Sequence, residues 1–212
     1  MSLRLHGVAG SPFVASALLA LEETGAAYEF VSLAFAWKSS KDTAAGLLNP
    51  FGRVPILEDD DFALYETQAI LRYLAARARH LGLVPADVKK TARMDQLIGI
   101  NDSYLFPQVV RTIVAERLFS GMWNRAPDEA RINAALPEAR ICLLEIERLA
   151  AGQLFLADDA LSLADIHLFP SLHYVAMTHE GAEILKSCPG VARWIARMRH
   201  REAASKLYLK GL

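Results

Sequence analysis

Asn49-Pro50-Phe51-Gly52-Arg53-Val54-Pro55-Ile56-Leu57-Glu58-Asp59-Asp60-Asp61-Phe62-Ala63-Leu64-Tyr65-Glu66-Thr67-Gln68-Ala69-Ile70 is the stretch from which the fold can be read. Two short apolar runs, Val54 to Leu57 and Phe62 to Tyr65, flank the acidic turn Glu58 to Asp61, which is the spacing of an antiparallel hairpin. A helix is predicted from Thr67, with Ile70, Leu71 and Leu74 as its apolar stripe. Upstream, Leu3 to His6 alternates as a strand, and Gly7, Gly10 and Pro12 break the pattern. From Val14 the residues Val14, Ala17, Leu18 and Leu21 recur with the helical period, and Gly25 supplies the stop. Tyr28 to Leu33 alternates as a second strand, and an irregular stretch runs from there through Asn49. Strand, helix, strand, irregular segment, strand, strand, helix is an α/β order.

Nothing after Pro85 reads as strand, and that change marks a domain boundary. We expect an α/β domain over 1–80, a linker over 81–87 containing Gly82 and Pro85, and an all-helical domain over 88–212 with breaks near Pro127, Gly152 and Gly181.

Pro55 constrains the chemistry, because proline removes a donor and is poorly placed inside a central ladder. At the entrance of a strand, a cis Val54-Pro55 bond would turn the preceding backbone outward, where Val54 can pair with an extended peptide ligand. A trans proline at a strand start is the commoner outcome for an isolated pair. At the next strand-to-helix junction Thr67 is a natural N-cap, and the helix terminus favours a carboxylate. Alone, Thr67 is better explained as a cap and Glu66 as a first-turn acid. Gly10-Ser11-Pro12-Phe13 puts a hydroxyl at the head of the first helix. Ser11 there is either a cap or a donor to a thiolate.

Ser11-Pro12-Phe13, Asn49 to Pro55 and Tyr65 to Ile70 resemble the glutathione-site segments of the cytosolic glutathione S-transferase family. Leu161-Ser162-Leu163-Ala164-Asp165-Ile166 resembles that family's capping box in its helical domain, and Ser-x-x-Asp before an apolar run has that physical sense by itself. The resemblance spans nearly the whole chain in order. It is to the serine-type classes, among them tau, phi and theta-like bacterial enzymes, whereas a beta-class enzyme would carry a cysteine where Gly10 and Ser11 stand. Arg53 departs from the usual glutamine, Thr67 from the usual serine, and the first helix lacks an early arginine.

What the resemblance implies is a thioredoxin-like N-terminal domain, an all-α C-terminal domain and a transferase acting in detoxification. Glutathione would be the co-substrate, held by Lys41, Arg53, Val54, Pro55, Glu66 and Thr67, with Ser11 as the catalytic residue. A small hydrophobic electrophile would occupy an apolar cleft between the domains, to which Phe13, Phe35, Phe106 and Val110 contribute, unless these are core residues. The family also implies a homodimer. Asp102 could reach the γ-glutamyl amino group of a neighbouring subunit, although a solvated helix-face acid is the simpler account. Rival readings are a glutathione-dependent isomerase, dehalogenase or peroxidase, and a noncatalytic binding protein of the same fold.

Composition narrows the partners. The chain has 212 residues, 53% hydrophobic and 22% charged, with a formal net charge of −1, so it lacks the basic excess that nucleic-acid binding requires. The basic stretch Arg193 to Arg201 carries Trp194, Ile195 and Met198 at helical spacing and reads as an amphipathic helix. No apolar run approaches the ~18 residues of a membrane span, and the start is no signal peptide. Cys142 and Cys188 lie far apart without metal-ligand spacing, which predicts core thiols, a reducing compartment and no metal. The expected location is the cytoplasm.

Overall fold

The structure is a computed structural model and describes residues 3–33 and 49–207. The chain divides into two compact units, one of residues 1–83 together with 201–212, the other of residues 84–200.

In the first unit, β1 (Leu3–Gly7), β2 (Tyr28–Ser32), β3 (Ile56–Asp59) and β4 (Phe62–Tyr65) form one sheet in the order β2-β1-β3-β4. The β1–β2 pair is parallel, while β1–β3 and β3–β4 are antiparallel. The connection between the parallel strands is α1 (Pro12–Thr24), the crossover that parallel strands require. Val14 through Leu21 are all buried, so the predicted stripe lies within a helix enclosed through its middle turns. Gly7 makes the return possible: a Cβ there would stand 2.4 Å from a Val14 methyl group and 3.2 Å from the Phe30 ring. α2 (Thr67–Arg77) buries Ile70, Leu71 and Leu74 and packs against α1.

The second strand of the hairpin has the expected bounds, whereas the first lies two residues later than expected. Pairing begins at Ile56, opposite His6, and not at Val54, because Pro55 offers no N–H to the ladder. Glu58 and Asp59 consequently join the strand, and only Asp60 and Asp61 make the turn, Asp60 at φ 55°.

A short C-terminal helix, numbered last as α8, spans Glu202–Ser205 and packs on α1. Arg201 pairs with Glu23 through two bonds of 2.5 and 2.7 Å, and Lys206 donates to Glu22 at 2.7 Å. These ties join residues far apart in the chain and return the C-terminal segment to the α/β unit.

The second unit is helical. α3 (Val88–Ile100) is capped by Asp87, which accepts from the Lys89 and Lys90 N–H groups at 2.9 and 3.0 Å. The helical path continues over Asn101–Phe119, here α4, with the wider π-type hydrogen bonding. α5 (Glu129–Leu149) follows. A further helix, Leu163–Ala176, is buried from Leu163 to Val175, which is the mark of a central helix enclosed by its neighbours. We number it α6. The segment His179–Leu185 is α7. The break expected near Gly181 falls at Met177 and Thr178, and Gly181 itself is helical. It sits inside α7 because a Cβ would lie 2.0 Å from the Val175 carbonyl oxygen. Pro189–Arg199 is amphipathic, with Val191, Trp194, Ile195 and Met198 buried. Among the described residues β4 is the last strand, and no helix is long and apolar enough to cross a membrane.

Candidate active site

Ser11 is the N-cap of α1, with Pro12 as the first helical residue. Its Oγ accepts from the Val14 N–H at 3.5 Å, the outer limit of a hydrogen bond. Accepting leaves the hydroxyl its own hydrogen to donate. The residue is half-buried, and no acidic side chain occupies the first turn of α1, so the partial positive charge of the helix terminus is not offset there.

The approach to β3 is organised by Asn49, 1% exposed. Its Nδ2 donates to the Arg53 carbonyl at 2.9 Å, its Oδ1 accepts from the Phe51 N–H at 3.0 Å, and its carbonyl accepts from Gly52 at 3.0 Å. A side chain that satisfies both ends of a turn fixes its exit direction, and the exit delivers Val54 and Pro55. The Val54–Pro55 peptide bond is cis.

At the end of β4, Glu66 takes φ 69° and ψ 115°, a conformation that costs a non-glycine residue of order 1–3 kcal/mol. Glu66 is the N-cap of α2, and its side chain makes no capping bond. This corrects the expectation for Thr67. The helix begins one residue earlier than a threonine cap would set it, because the Glu66 carbonyl already accepts from the Ile70 N–H at 3.1 Å. Thr67 is therefore the first helical residue and is buried.

One contact set unites the three segments. Val8, Val54 and Tyr65 pack around fully buried Ile56, and each stands next to an element of the site: the loop into Ser11, Pro55 and Glu66. Tyr65 faces Ile56 in the β3–β4 register, and Phe51 meets the Tyr65 ring edge-on at 6.1 Å. Sequence reasoning missed Ile56, Val8 and the role of the Asn49 side chain. For Asn49 a signal existed, since Asn-Pro-Phe-Gly is turn-forming and an Asn side chain can accept from the N–H two residues on.

The other predicted residues are distributed. Arg53 is exposed and Pro55 buried. Phe13 is half-buried in the first unit. Phe106 and Val110 lie on α4 of the second unit, Phe106 half-buried and Val110 in its core. Lys41 and Phe35 lie outside the described residues. Asp102 is no simple solvated acid: it pairs with buried His167 at 2.7 Å, and Asn101 Nδ2 donates to it at 3.0 Å.

Neither cysteine is a nucleophile. Both are buried, and burial pushes the Cys142 thiol up to about 12 and raises that of Cys188. Buried apolar thiols stay protonated and unreactive.

Fold and site define a protein with a thioredoxin-like N-terminal α/β unit and an all-α unit after it. Residues 5–81 match the model of the glutathione S-transferase N-terminal domain, and residues 109–202 that of the C-terminal domain. The chain belongs to the glutathione S-transferase family. It is 32% identical over 206 residues to glutathione S-transferase 4 of Zea mays, covering 97% of this chain and 92% of that protein. To glutathione S-transferase F14 of Arabidopsis thaliana it is 31% identical over 193 residues, 89% of this chain and 76% of the other. Among solved structures, glutathione S-transferase I from maize in complex with an atrazine glutathione conjugate superimposes with a TM-score of 0.85 at 27% identity, covering 98% and 97% of the two chains.

Proposed function

We propose that the protein is a glutathione transferase that activates the glutathione thiol for attack on small hydrophobic electrophiles. The observation that carries this reading is the packing of Val8, Val54 and Tyr65 on Ile56, which gathers two helix N-termini and the entrance of β3 into one region. Glutathione lies extended, its cysteinyl backbone paired with Val54 beside Pro55. Its γ-glutamyl carboxylate meets Thr67 at the head of α2 and its amino group Glu66. Arg53 and Lys41 receive the glycyl carboxylate.

A free thiol titrates near 8.5, and lowering that by ~2 units takes ~3 kcal/mol of preferential stabilisation of the thiolate. Ser11 supplies it by donating its hydroxyl hydrogen to sulfur at the positive end of α1. The thiol proton leaves to solvent, the sulfur lone pair forms the new S–C bond, and the electrophile's displaced pair departs with its leaving group. Serine transfers no proton. Phe13 at the head of α1 offers the electrophile an aromatic face. The maize protein whose structure holds an atrazine glutathione conjugate supports this class of product. The protein acts as a cytoplasmic homodimer in detoxification.

Calorimetry of glutathione binding, with thiolate absorbance followed against pH, tests the reading. Binding with a thiol pKa well below 8.5 is expected. A protein that binds no glutathione is instead a scaffold of this fold.

A further inference from the structure

Glu66 is the vertex of two arms. β4 runs into it and α2 runs out of it, the four strand residues spanning about 13 Å and the seven helical ones from Thr67 to Tyr73 about 10 Å. The open ends of the two arms are tied. Asp59 stands opposite Phe62 where the hairpin turns, and its Oδ2 accepts from both the Tyr73 hydroxyl and the Arg77 guanidinium on α2. Arg77 also donates to the Tyr73 oxygen at 3.1 Å and lies over the Tyr73 ring, 5.6 Å from its centroid. Phe62 packs against the other partner of this cluster, its ring 5.6 Å from that of Tyr73.

A closed triangle constrains its vertex. With the far ends fastened, β4 and α2 hold a fixed angle, and the backbone at Glu66 must accept φ 69° to connect them. With the far ends released, Glu66 can relax into the ordinary extended or helical regions that a non-glycine residue prefers. Asp59 ends β3, paired in the ladder with Phe62 of β4, so its two bonds to α2 act across the angle and not along either arm.

We infer that Asp59, Tyr73 and Arg77 are positioning residues for the glutathione-binding junction, holding Glu66 and Thr67 in the geometry that receives the γ-glutamyl end. This rests on the functional reading above and deepens it, since these three side chains belong to none of the segments assigned to ligand contact. Opening the tie lowers the fraction of molecules in the competent geometry, and ligand must then restore it. A strained residue that relaxes leaves about a tenth of the population competent, which weakens binding about tenfold without touching Ser11.

The test compares the unaltered protein with Tyr73→Phe/Arg77→Met and with Arg77→Lys, measuring glutathione affinity by calorimetry, the pKa of the bound thiol by absorbance at saturation, and the melting temperature. Expected is an affinity about tenfold weaker in the double variant, an unchanged thiol pKa, and a smaller loss in Arg77→Lys, which keeps a cation for Asp59 but gives up the guanidinium stacked over Tyr73. Tyr73→Phe alone, which removes one oxygen from a half-buried ring, gives a smaller shift in the same direction and guards against a double variant that does not fold. Unchanged affinity in a folded double variant overturns the inference and makes the tie a matter of stability only. Affinity and thiol pKa that move together also overturn it, because the disturbance then reaches Ser11. If the unaltered protein binds no glutathione, the functional reading itself falls and takes the positioning role with it.

Discussion

Ser11 and Ser162 hold the same post at the head of a helix, in surroundings that share almost nothing. Ser162, 1% exposed, donates both its N–H (2.8 Å) and its hydroxyl (2.7 Å) to Asp165 Oδ2. The other oxygen of that carboxylate accepts from the Leu156 N–H and the Trp194 indole, each at 2.8 Å. Every group there is committed. Ser11 is half-buried and accepts one bond at the limit of bonding distance. A serine whose hydrogen is given to a buried carboxylate has nothing to offer a ligand, whereas Ser11 keeps its donor. The sequence motif is a cap in both places, and the number of completed bonds separates a folding role from a chemical one.

Asp165→Ala is the severest way to strain that comparison. It would orphan donors from Ser162, Leu156 and Trp194 inside the helical unit, each worth ~1–3 kcal/mol when left unpaired. A loss of about 4 kcal/mol is expected, a large share of the 5–15 kcal/mol that holds a typical domain. Urea denaturation reads it directly. A variant with the parental midpoint would remove the distinction, because the buried box would then contribute no more than an ordinary surface cap.

Ser11→Ala should behave oppositely. The folded state should lose no more than ~1 kcal/mol, the lower part of the range for an N-cap. Conjugation at pH 7 should fall about 25-fold, the ratio of the thiolate fractions of a thiol at about 6.5 and one at about 8.5. With glutathione saturating, the acid limb of the kcat/KM profile for the electrophile should move from about 6.5 toward 8.5, since the bound thiolate is the attacking species and loses its donor. A profile that stays in place while rate and stability fall slightly would return Ser11 to the standing of a cap.

What the sequence could disclose follows the range of the forces involved. The helix of Ser162 and Asp165, the stripe of α2 and the buried face of Trp194, Ile195 and Met198 were legible because capping and amphipathic periodicity are local patterns. The placement of Pro55 at a strand entrance was legible for a similar reason, a missing N–H. The start of β3 at Ile56 was not, since register depends on which residue of β1 stands opposite. Nor was the gathering of Val8, Val54 and Tyr65 on Ile56, a product of sheet order across nearly sixty positions of chain. The return of Arg201 and Lys206 to α1 depends on ion pairs with Glu23 and Glu22 that no window of sequence contains. At residue 66 a glutamate gives no hint of a positive φ, which composition would assign to glycine.

That residue provides the smallest and most discriminating change. Glycine adopts φ 69° without penalty, so Glu66→Gly should recover about 1 kcal/mol of strain and give up about as much to the freer unfolded chain. The midpoint of denaturation should therefore hardly move. Glu66→Gln keeps the backbone demand and removes only the charge. If the carboxylate meets the γ-glutamyl amino group, both variants should weaken glutathione binding by a similar factor, about five- to tenfold, the worth of one charge-assisted bond. If the backbone alone matters, the glycine variant should bind as the parent does. Equal weakening with an unmoved midpoint would set Glu66 beside Ser11 and opposite Ser162, as a position whose side chain serves a ligand and contributes nothing to folding.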